Sequence, residues 1–289
     1  MNIEEIIKEF REQQALYKKK FASGGGLIGI STGIDRLDEI IDGLRPAHFW
    51  VIGGYTNVGK TFAALNIAVN LIRQGKRVVV FSLEMAHLDV LARLLGIMTN
   101  QSSNRILKAY THDEKAVEEA CQLLIKSNLV IHTMKSELKD ICHSMTDENR
   151  NKPVDLFIVD FLQIVTVEGA RSEYEVLTKA ALKFQQAAKV FKCPVIAISQ
   201  ISNEGARNPD SEVMSFKGSG AIAAAADLAI EIVRNQSETR EEFIRKLKAG
   251  EPVSMNWAVR KNRHGRVGSI DMTFDGRTGI FKLSDFEKI

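Results

Sequence analysis

The sequence predicts an α/β fold with a mainly parallel central sheet flanked by helices and extended by antiparallel C-terminal strands. Three observations lead to this prediction. Short apolar runs alternate with helical stretches through most of the chain, which is typical of a parallel sheet covered on both faces. A phosphate-binding signature follows the first of these runs. The last part of the chain has closely spaced strands with one short charged helix among them, which favours antiparallel pairing.

The first predicted element is an amphipathic helix over residues 3–21, followed by a Gly-rich linker over 22–26. Its apolar residues recur at helical spacing and form one stripe: Ile3, Ile6, Ile7, Phe10, Tyr17 and Phe21. The sequence thus divides into a linker and oligomerisation segment, 1–26, and a main domain, 27–289. Two alternatives remain open, since the helix could fold back on its own domain or dock on a neighbouring subunit.

The main domain supplies the alternating pattern. Its predicted buried strands are 49–53, 78–82, 129–132, 156–160 and 195–199. The predicted helices between and after them are 61–74, 88–98, 113–126, 137–149 and 172–191. The predicted tail strands are 228–233, 254–260, 269–274 and 280–283, with the short charged helix at 238–248. This order is that of an α/β domain whose sheet is extended by antiparallel strands.

Composition excludes several classes of protein. The chain has 289 residues, 45% of them hydrophobic, and a formal net charge of +3 with basic residues spread along it, so any nucleic-acid site must be local. Its three cysteines are far apart and form no metal-spaced cluster with histidine, which indicates reduced thiols and no zinc site. We find no signal peptide and no membrane-length apolar run, and therefore expect a soluble, cytoplasmic protein without a membrane partner.

The most specific signature is a P-loop, in which two glycines with four residues between them are followed by Lys and then Ser or Thr. Its residues are Gly54, Tyr55, Thr56, Asn57, Val58, Gly59, Lys60 and Thr61. The glycines let backbone N–H groups turn toward phosphate oxygens, Lys60 adds a positive charge, and the Thr61 hydroxyl can ligate Mg²⁺. The sequence thus predicts a site for ATP and Mg²⁺.

Three polar residues end apolar strands and are expected near the P-loop, because carboxyl ends of parallel strands meet at one edge of a sheet. Asp160 follows four apolar residues and is predicted to bind Mg²⁺ with Thr61. Glu84 follows the strand after the P-loop helix and is predicted to orient and deprotonate the attacking water. Gln200 ends a third strand and is predicted to sense the γ-phosphate. An alternative for Glu84 is a helix N-terminal acid, and for Gln200 a solvated strand end.

From residue 28 to 283 the chain resembles the RecA-like ATPase domain of hexameric replicative helicases, the DnaB-like group. The resemblance rests on ordered segments: residues 34–38 with 43–44, the P-loop, 81–85, 160–163, 199–200, 217–222 with 226–227, 261–265 and 274–276. It implies a RecA-like P-loop NTPase fold. The family's N-terminal collar domain has no counterpart ahead of the linker, and the 238–248 helix looks like an insertion.

The resemblance also implies residue roles. Glu84 matches the family's catalytic glutamate, Asp160 its Mg²⁺-associated aspartate, and Gln200 the residue that couples nucleotide state to the DNA loop. Lys261 and Arg263 match the pair that reaches into the neighbouring subunit's ATP site. Two residues with one residue between them on a strand point to the same face, and an arginine supplied in trans stabilises charge in the transition state. Alone, this pair would read as a solvated basic strand.

Two loops are predicted to bind nucleic acid because they follow the strands that end in Asp160 and Gln200. The first, 166–172, carries Arg171, and the second, 202–220, carries Arg207 and Lys217. Lys217 and the amides of Gly218 and Gly220 are predicted to hold a backbone phosphate.

We therefore expect an ATP-dependent, ring-forming replicative DNA helicase that moves on single-stranded DNA and hydrolyses ATP at subunit interfaces. The expected partners are single-stranded DNA and further copies of the chain, as a hexamer, with primase and a helicase loader as additional candidates. A cytoplasmic setting in a bacterial or phage-infected cell fits this expectation. The alternatives are a RecA- or RadA-like recombination ATPase and a regulatory RecA-fold ATPase acting on a protein partner.

Overall fold

A computed structural model describes residues 2–22, 26–133, 136–201, 220–235 and 238–284. The strands are β1 (Phe49–Gly54), β2 (Val78–Ser82), β3 (Val130–His132), β4 (Leu156–Asp160), β5 (Val195–Gln200), β6 (Leu228–Arg234), β7 (Val253–Asn262), β8 (Gly268–Asp275) and β9 (Ile280–Leu283). The helices are α1 (Ile3–Ala22), α2 (Asp35–Ile41), α3 (Lys60–Arg73), α4 (His87–Thr99), α5 (Ser103–Leu107), α6 (Glu114–Ser127), α7 (Leu138–Asn151), α8 (Glu173–Phe191), α9 (Gly220–Ala225) and α10 (Arg240–Ala249).

The strands form one nine-stranded sheet in the order β3-β2-β4-β5-β1-β6-β7-β8-β9. Neighbours from β3 to β6 pair in parallel, and β6 to β9 pair antiparallel. The predicted α/β fold with a mainly parallel sheet and an antiparallel C-terminal extension is therefore confirmed. Parallel pairing gathers the carboxyl ends of β1, β2, β4 and β5 at one edge, where ligands bind in open α/β sheets.

Strands β1, β2, β4 and β5 are buried on both faces, which explains their largely apolar sequences. Along β1, Trp50 and Ile52 belong to the apolar cluster that includes α3 and α4, whereas Phe49 and Val51 belong to the cluster that includes α8. Successive side chains of a strand point to opposite faces, so a strand between two layers of helices needs an apolar residue at nearly every position.

Some short helices were not predicted: α2, α5 and α9. Each is at most seven residues long, too short for an apolar stripe of helical period to stand out in the sequence. The predicted helix at 238–248 is present as α10, with Thr239 accepting a hydrogen bond from the backbone N–H of Glu242 at its start.

Helix α1 keeps its apolar stripe exposed. The side chains of Ile3 and Phe10 are 66% and 57% exposed, and Phe21 is exposed as well. In the described residues this stripe does not pack on the main domain, which was one of the two alternatives for the helix. Among those residues, none of the helices combines the length and the apolar character needed to cross a lipid bilayer.

Candidate active site

The P-loop connects the end of β1 to the start of α3, with both glycines in places that exclude a side chain. Gly59 precedes α3 with a φ of 85°, a left-handed conformation, and a Cβ there would lie 3.0 Å from the Phe274 ring. A Cβ on Gly54 would lie 2.8 Å from the carbonyl oxygen of Ile232 on the neighbouring strand. The loop is thereby held against the sheet at the N-terminus of a helix, where backbone N–H groups favour anions.

Lys60 is folded over this loop. Its Nζ donates a hydrogen bond to the carbonyl oxygen of Tyr55 at 2.6 Å. Burial lowers the pKa of the Lys60 ammonium below its usual value, and attraction to Asp160 and Glu84 offsets part of this effect. The ammonium is thus a desolvated cation within the loop, which suits it to bind phosphate oxygens.

Asp160 lies at the end of β4 and meets the P-loop through Thr61. The Thr61 hydroxyl donates to Asp160 Oδ2 at 2.8 Å. Burial raises the pKa of Asp160 to about 6, although the hydrogen bond from Thr61 and the charges of Arg93 and Lys60 act in the opposite direction. The structure therefore brings together the two residues that the sequence predicted as Mg²⁺ ligands.

These two groups fit Mg²⁺ by their chemistry, since Mg²⁺ prefers oxygen ligands and commonly uses one or two carboxylates together with substrate phosphates. The described residues contain no group of three or more His, Cys, Asp or Glu side chains placed to hold a metal ion. The donor set thus matches a metal that arrives with phosphate.

Glu84 lies just beyond β2 and lines the same cleft as the P-loop, Asp160 and Gln200, a cleft of about 2260 Å³. The N–H of Leu83 donates to the carbonyl oxygen of Asp160 at 2.8 Å and joins the ends of the two strands. Glu84 itself is exposed, and its charge raises the pKa of Asp160. An exposed carboxylate at this position can accept a proton from water in the cleft.

Gln200 is tied to the Asp160 strand by Gln163. The Gln200 N–H donates to Gln163 Oε1 at 3.1 Å, and Gln163 Nε2 donates to Ser199 Oγ at 3.0 Å. These bonds join the turn after β4 to the end of β5, which precedes the second predicted nucleic-acid loop.

Sequence reasoning missed Arg93 on α4, which lines the same cleft. Its guanidinium carbon lies 4.8 Å from the centroid of the Phe62 ring. Burial lowers the pKa of Arg93 below its ordinary value, and Asp160 and Glu84 are among the carboxylates that oppose this shift. The signal that could have found it is a lone cation on the helix that follows Glu84.

Arg263 lies level with the amino-terminal end of β1, and Lys261 lies level with Val51, whereas the P-loop follows the carboxyl end of β1. Asn262 pairs with Leu228 at the start of β6, and Leu228 pairs with Trp50 near the start of β1. From Trp50 to Gly54, at about 3.3 Å per residue, β1 runs roughly 13 Å before the P-loop begins. The two cations are therefore far from the P-loop of their own chain.

Both cations are held by backbone carbonyls at the end of α9. Lys261 Nζ donates to the oxygens of Ala223 and Ala224 at 2.6 and 3.0 Å, and Arg263 Nη2 donates to that of Ala224 at 3.1 Å. Carbonyl groups at a helix C-terminus attract cations. Because β7 ends at Asn262, Arg263 lies in the turn after the strand, and the two cations are brought together by their shared contact with Ala224.

The predicted nucleic-acid residues are only partly described. Arg171 is exposed and its backbone N–H donates to Glu175 Oε2 at 2.9 Å, near the start of α8. Gly220 begins α9, and a Cβ added to it would meet none of the described residues within 4 Å. Arg207, Lys217 and Gly218 lie outside the described residues, so their role stays a prediction.

Comparison with known proteins places this architecture in a family. The sequence profile of the DnaB-like helicase C terminal domain matches residues 29–283. The replicative DNA helicase DnaB of Buchnera aphidicola subsp. Baizongia pistaciae is 25% identical over 267 residues, which cover 89% of this chain and 56% of that protein. That of Treponema pallidum is 24% identical over 263 residues, covering 88% and 56%. The chain spans a little more than half the length of these relatives.

Solved structures share the fold. One described as an ATPase domain superposes with a TM-score of 0.81 at 21% identity, covering 95% of this chain and 98% of that one. A DnaB-like replicative helicase described with its interactions with primase superposes with a TM-score of 0.78 at 21% identity, covering 93% and 65%. The family profile covers most of the chain, and the fold agrees with it; this chain belongs to the DnaB-like helicase C-terminal domain family.

Proposed function

We propose that the chain is an ATP-dependent DNA helicase of the replicative type, which forms a ring, expected to be hexameric, and moves on single-stranded DNA. One observation carries the proposal. Lys261 and Arg263 lie toward the amino-terminal end of β1 and the P-loop follows its carboxyl end, so they are out of reach of the nucleotide bound by their own chain. A site that uses both must draw the P-loop and the two cations from different copies. Membership of the family supports the same conclusion.

The chemistry follows from the residues in the cleft. Lys60 and the loop amides bind the phosphates of ATP, while Glu84 orients water and takes its proton. Thr61 and Asp160 would hold Mg²⁺, which neutralises phosphate charge when bound with the nucleotide. Arg263 from the adjacent copy stabilises charge on the γ-phosphate in the transition state.

DNA is proposed to bind through the loops after β4 and β5. Arg171 in the first, and Arg207, Lys217, Gly218 and Gly220 in or beside the second, would bind backbone phosphates in a sequence-independent way. Gln200 and Gln163 connect this region to the Asp160 strand, which supports coupling between nucleotide state and DNA contact.

Primase and a helicase loader remain candidate partners, and a cytoplasmic setting in a bacterial or phage-infected cell fits such a helicase.

The test combines ATP turnover, unwinding of a forked DNA duplex and particle imaging, each with and without single-stranded DNA. The proposal expects closed rings, turnover stimulated by DNA, and strand separation that requires ATP and is lost in Lys60→Ala. Helical filaments that pair strands would support a recombination ATPase instead. Turnover indifferent to DNA would favour a regulatory ATPase that acts on a protein partner.

Helix α1 is proposed to dock on the adjacent copy through its exposed stripe. Deleting residues 2–21 is expected to shift sedimentation toward smaller species at equal concentration, because this stripe is then unable to cover apolar surface on a neighbour. Within the intact chain, Phe10→Ser should weaken assembly and Arg11→Ser, next to it on the same helix, should not. A sedimentation profile that neither the deletion nor Phe10→Ser alters would remove this role.

A further inference from the structure

Asp227 is a buried carboxylate immediately before β6, with hydrogen-bond donors on two sides. Its Oδ2 accepts from the N–H of Phe49 at 3.0 Å, and its Oδ1 accepts from Arg263 Nη1 at 2.8 Å. The backbone of Asp227 repeats both links, since its N–H donates to the oxygen of Phe49 and its oxygen accepts from the N–H of Arg263. Asp227 therefore fixes Arg263 to the start of the P-loop strand by both main chain and side chain.

The pair leaves part of the guanidinium outside. The Asp227 side chain is 5% exposed, whereas that of Arg263 is 41% exposed. With Nη1 on Asp227 and Nη2 on Ala224, the inner edge of the guanidinium is held and the remaining N–H donors are near the surface. This is the arrangement needed to present a guanidinium to a ligand outside the chain.

Fixing this side chain in advance matters because an arginine is long and flexible. A finger that is already in place loses little conformational freedom when it meets its target. Burying a carboxylate is unfavourable unless it is paired, so Asp227 in turn depends on the two donors that it accepts from. The two residues hold each other in one geometry.

We propose that Asp227 is the positioning residue of the arginine that acts in trans. It touches no substrate and acts by holding Arg263 so that the free donors face the γ-phosphate bound by the adjacent copy. This inference rests on the proposed function, and it adds a residue to which the sequence pattern assigned no role.

The test uses Asp227→Asn, which keeps an oxygen for the N–H of Phe49 and removes the charge that holds Arg263. Turnover is expected to fall by about a hundredfold, the loss that a misplacement near 1 Å can cause. Binding of a fluorescent ATP analogue should stay within about twofold, because the P-loop of the variant is intact. Mixing with Lys60→Ala subunits should restore turnover, since these subunits supply an intact Asp227 and Arg263 pair to the intact P-loop of the Asn variant.

A merely structural role for Asp227 would not be rescued in this way, so absence of rescue overturns the inference. Unchanged or increased turnover in Asp227→Asn also overturns it, because the pairing would then be dispensable or inhibitory. Asp42→Asn is the matched control: Asp42 likewise accepts from an arginine, Arg45, and from a backbone N–H, that of Ile28, and its turnover should equal that of the parent.

Two further variants separate this inference from the proposed function. If Arg263→Ala is rescued by Lys60→Ala subunits and Asp227→Asn is not, the shared site stands and the positioning role fails. If Arg263→Ala keeps normal turnover, the shared site itself fails. If thermal melting shows that Asp227→Asn does not fold, Arg263→Lys is tested instead. A lysine can pair with Asp227, but it has no second set of N–H donors to present to the γ-phosphate. Near-normal turnover of Arg263→Lys would therefore overturn the inference.

Discussion

Replacing Arg263 with alanine is expected to lower ATP turnover by about 10³-fold or more, the contribution typical of an arginine supplied in trans. Nucleotide binding should change little, because Arg263 lies level with the amino-terminal end of β1, whereas the P-loop of its own chain follows the carboxyl end. The measurements are steady-state turnover and the affinity for a fluorescent ATP analogue, taken on the same preparations at concentrations where the chain is assembled.

Mixed assemblies make this expectation specific. Arg263→Ala subunits keep an intact P-loop, and Lys60→Ala subunits keep an intact Arg263, so a mixture should contain complete sites although neither variant has them alone. Arg266→Ala is the control, since Arg266 is exposed in the same turn and donates to the carbonyl oxygen of Glu39 within its own chain. Normal turnover of Arg263→Ala without any partner would show that the shared site is wrong.

Replacing Glu84 with glutamine is expected to lower turnover by about 10²- to 10⁴-fold, which is the usual contribution of a positioned general base. The amide keeps the size and hydrogen bonding of the side chain but cannot take a proton at neutral pH. Nucleotide affinity should be retained, and it should rise slightly if the charge of Glu84 repels the phosphates. Single-turnover kinetics distinguish slow chemistry from slow product release.

Asp89→Asn is the matched control for Glu84. Asp89 is the next acidic residue along the chain, exposed in the first turn of α4, and its neutralisation should alter turnover by no more than a few-fold. Equal losses of turnover in both variants would indicate a general effect of negative charge in the cleft. The role of Glu84 as the general base would then be wrong.

Much of the cleft could be predicted because parallel strands carry their carboxyl ends to one edge. Asp160 follows four apolar residues, and Thr61 is fixed by its place in the P-loop, so strand direction predicts that both lie at the same end of the sheet, where they meet at 2.8 Å. The order of the nine strands in the sheet could not be predicted. It depends on crossovers that the chain makes over several strands, which apolar periodicity does not encode.

Arg93 and Asp227 could not be predicted for different physical reasons. The position of Arg93 in the cleft depends on which face of α4 is turned toward the cleft, and that is decided by packing. The pairing of Asp227 with Arg263 depends on the register of β6 against β7, which shifts at a bulge between Ala229 and Ile230. A register is a long-range property, whereas the sequence pattern reports local periodicity.

The position of Arg263 and the P-loop at opposite ends of β1 makes the chain directional in assembly. In the proposed assembly, each copy gives an arginine with one face and receives one with the other, a head-to-tail contact that closes into a ring or continues as an open helix according to the rotation per copy. In a closed ring every P-loop would receive an arginine from a neighbour, whereas in an open row the P-loop of the last copy would not. Dilution creates such ends. ATP turnover per chain should therefore fall as the assemblies become shorter, whereas nucleotide binding per chain should stay the same. The ratio of turnover to bound nucleotide then reports the number of copies in an open assembly.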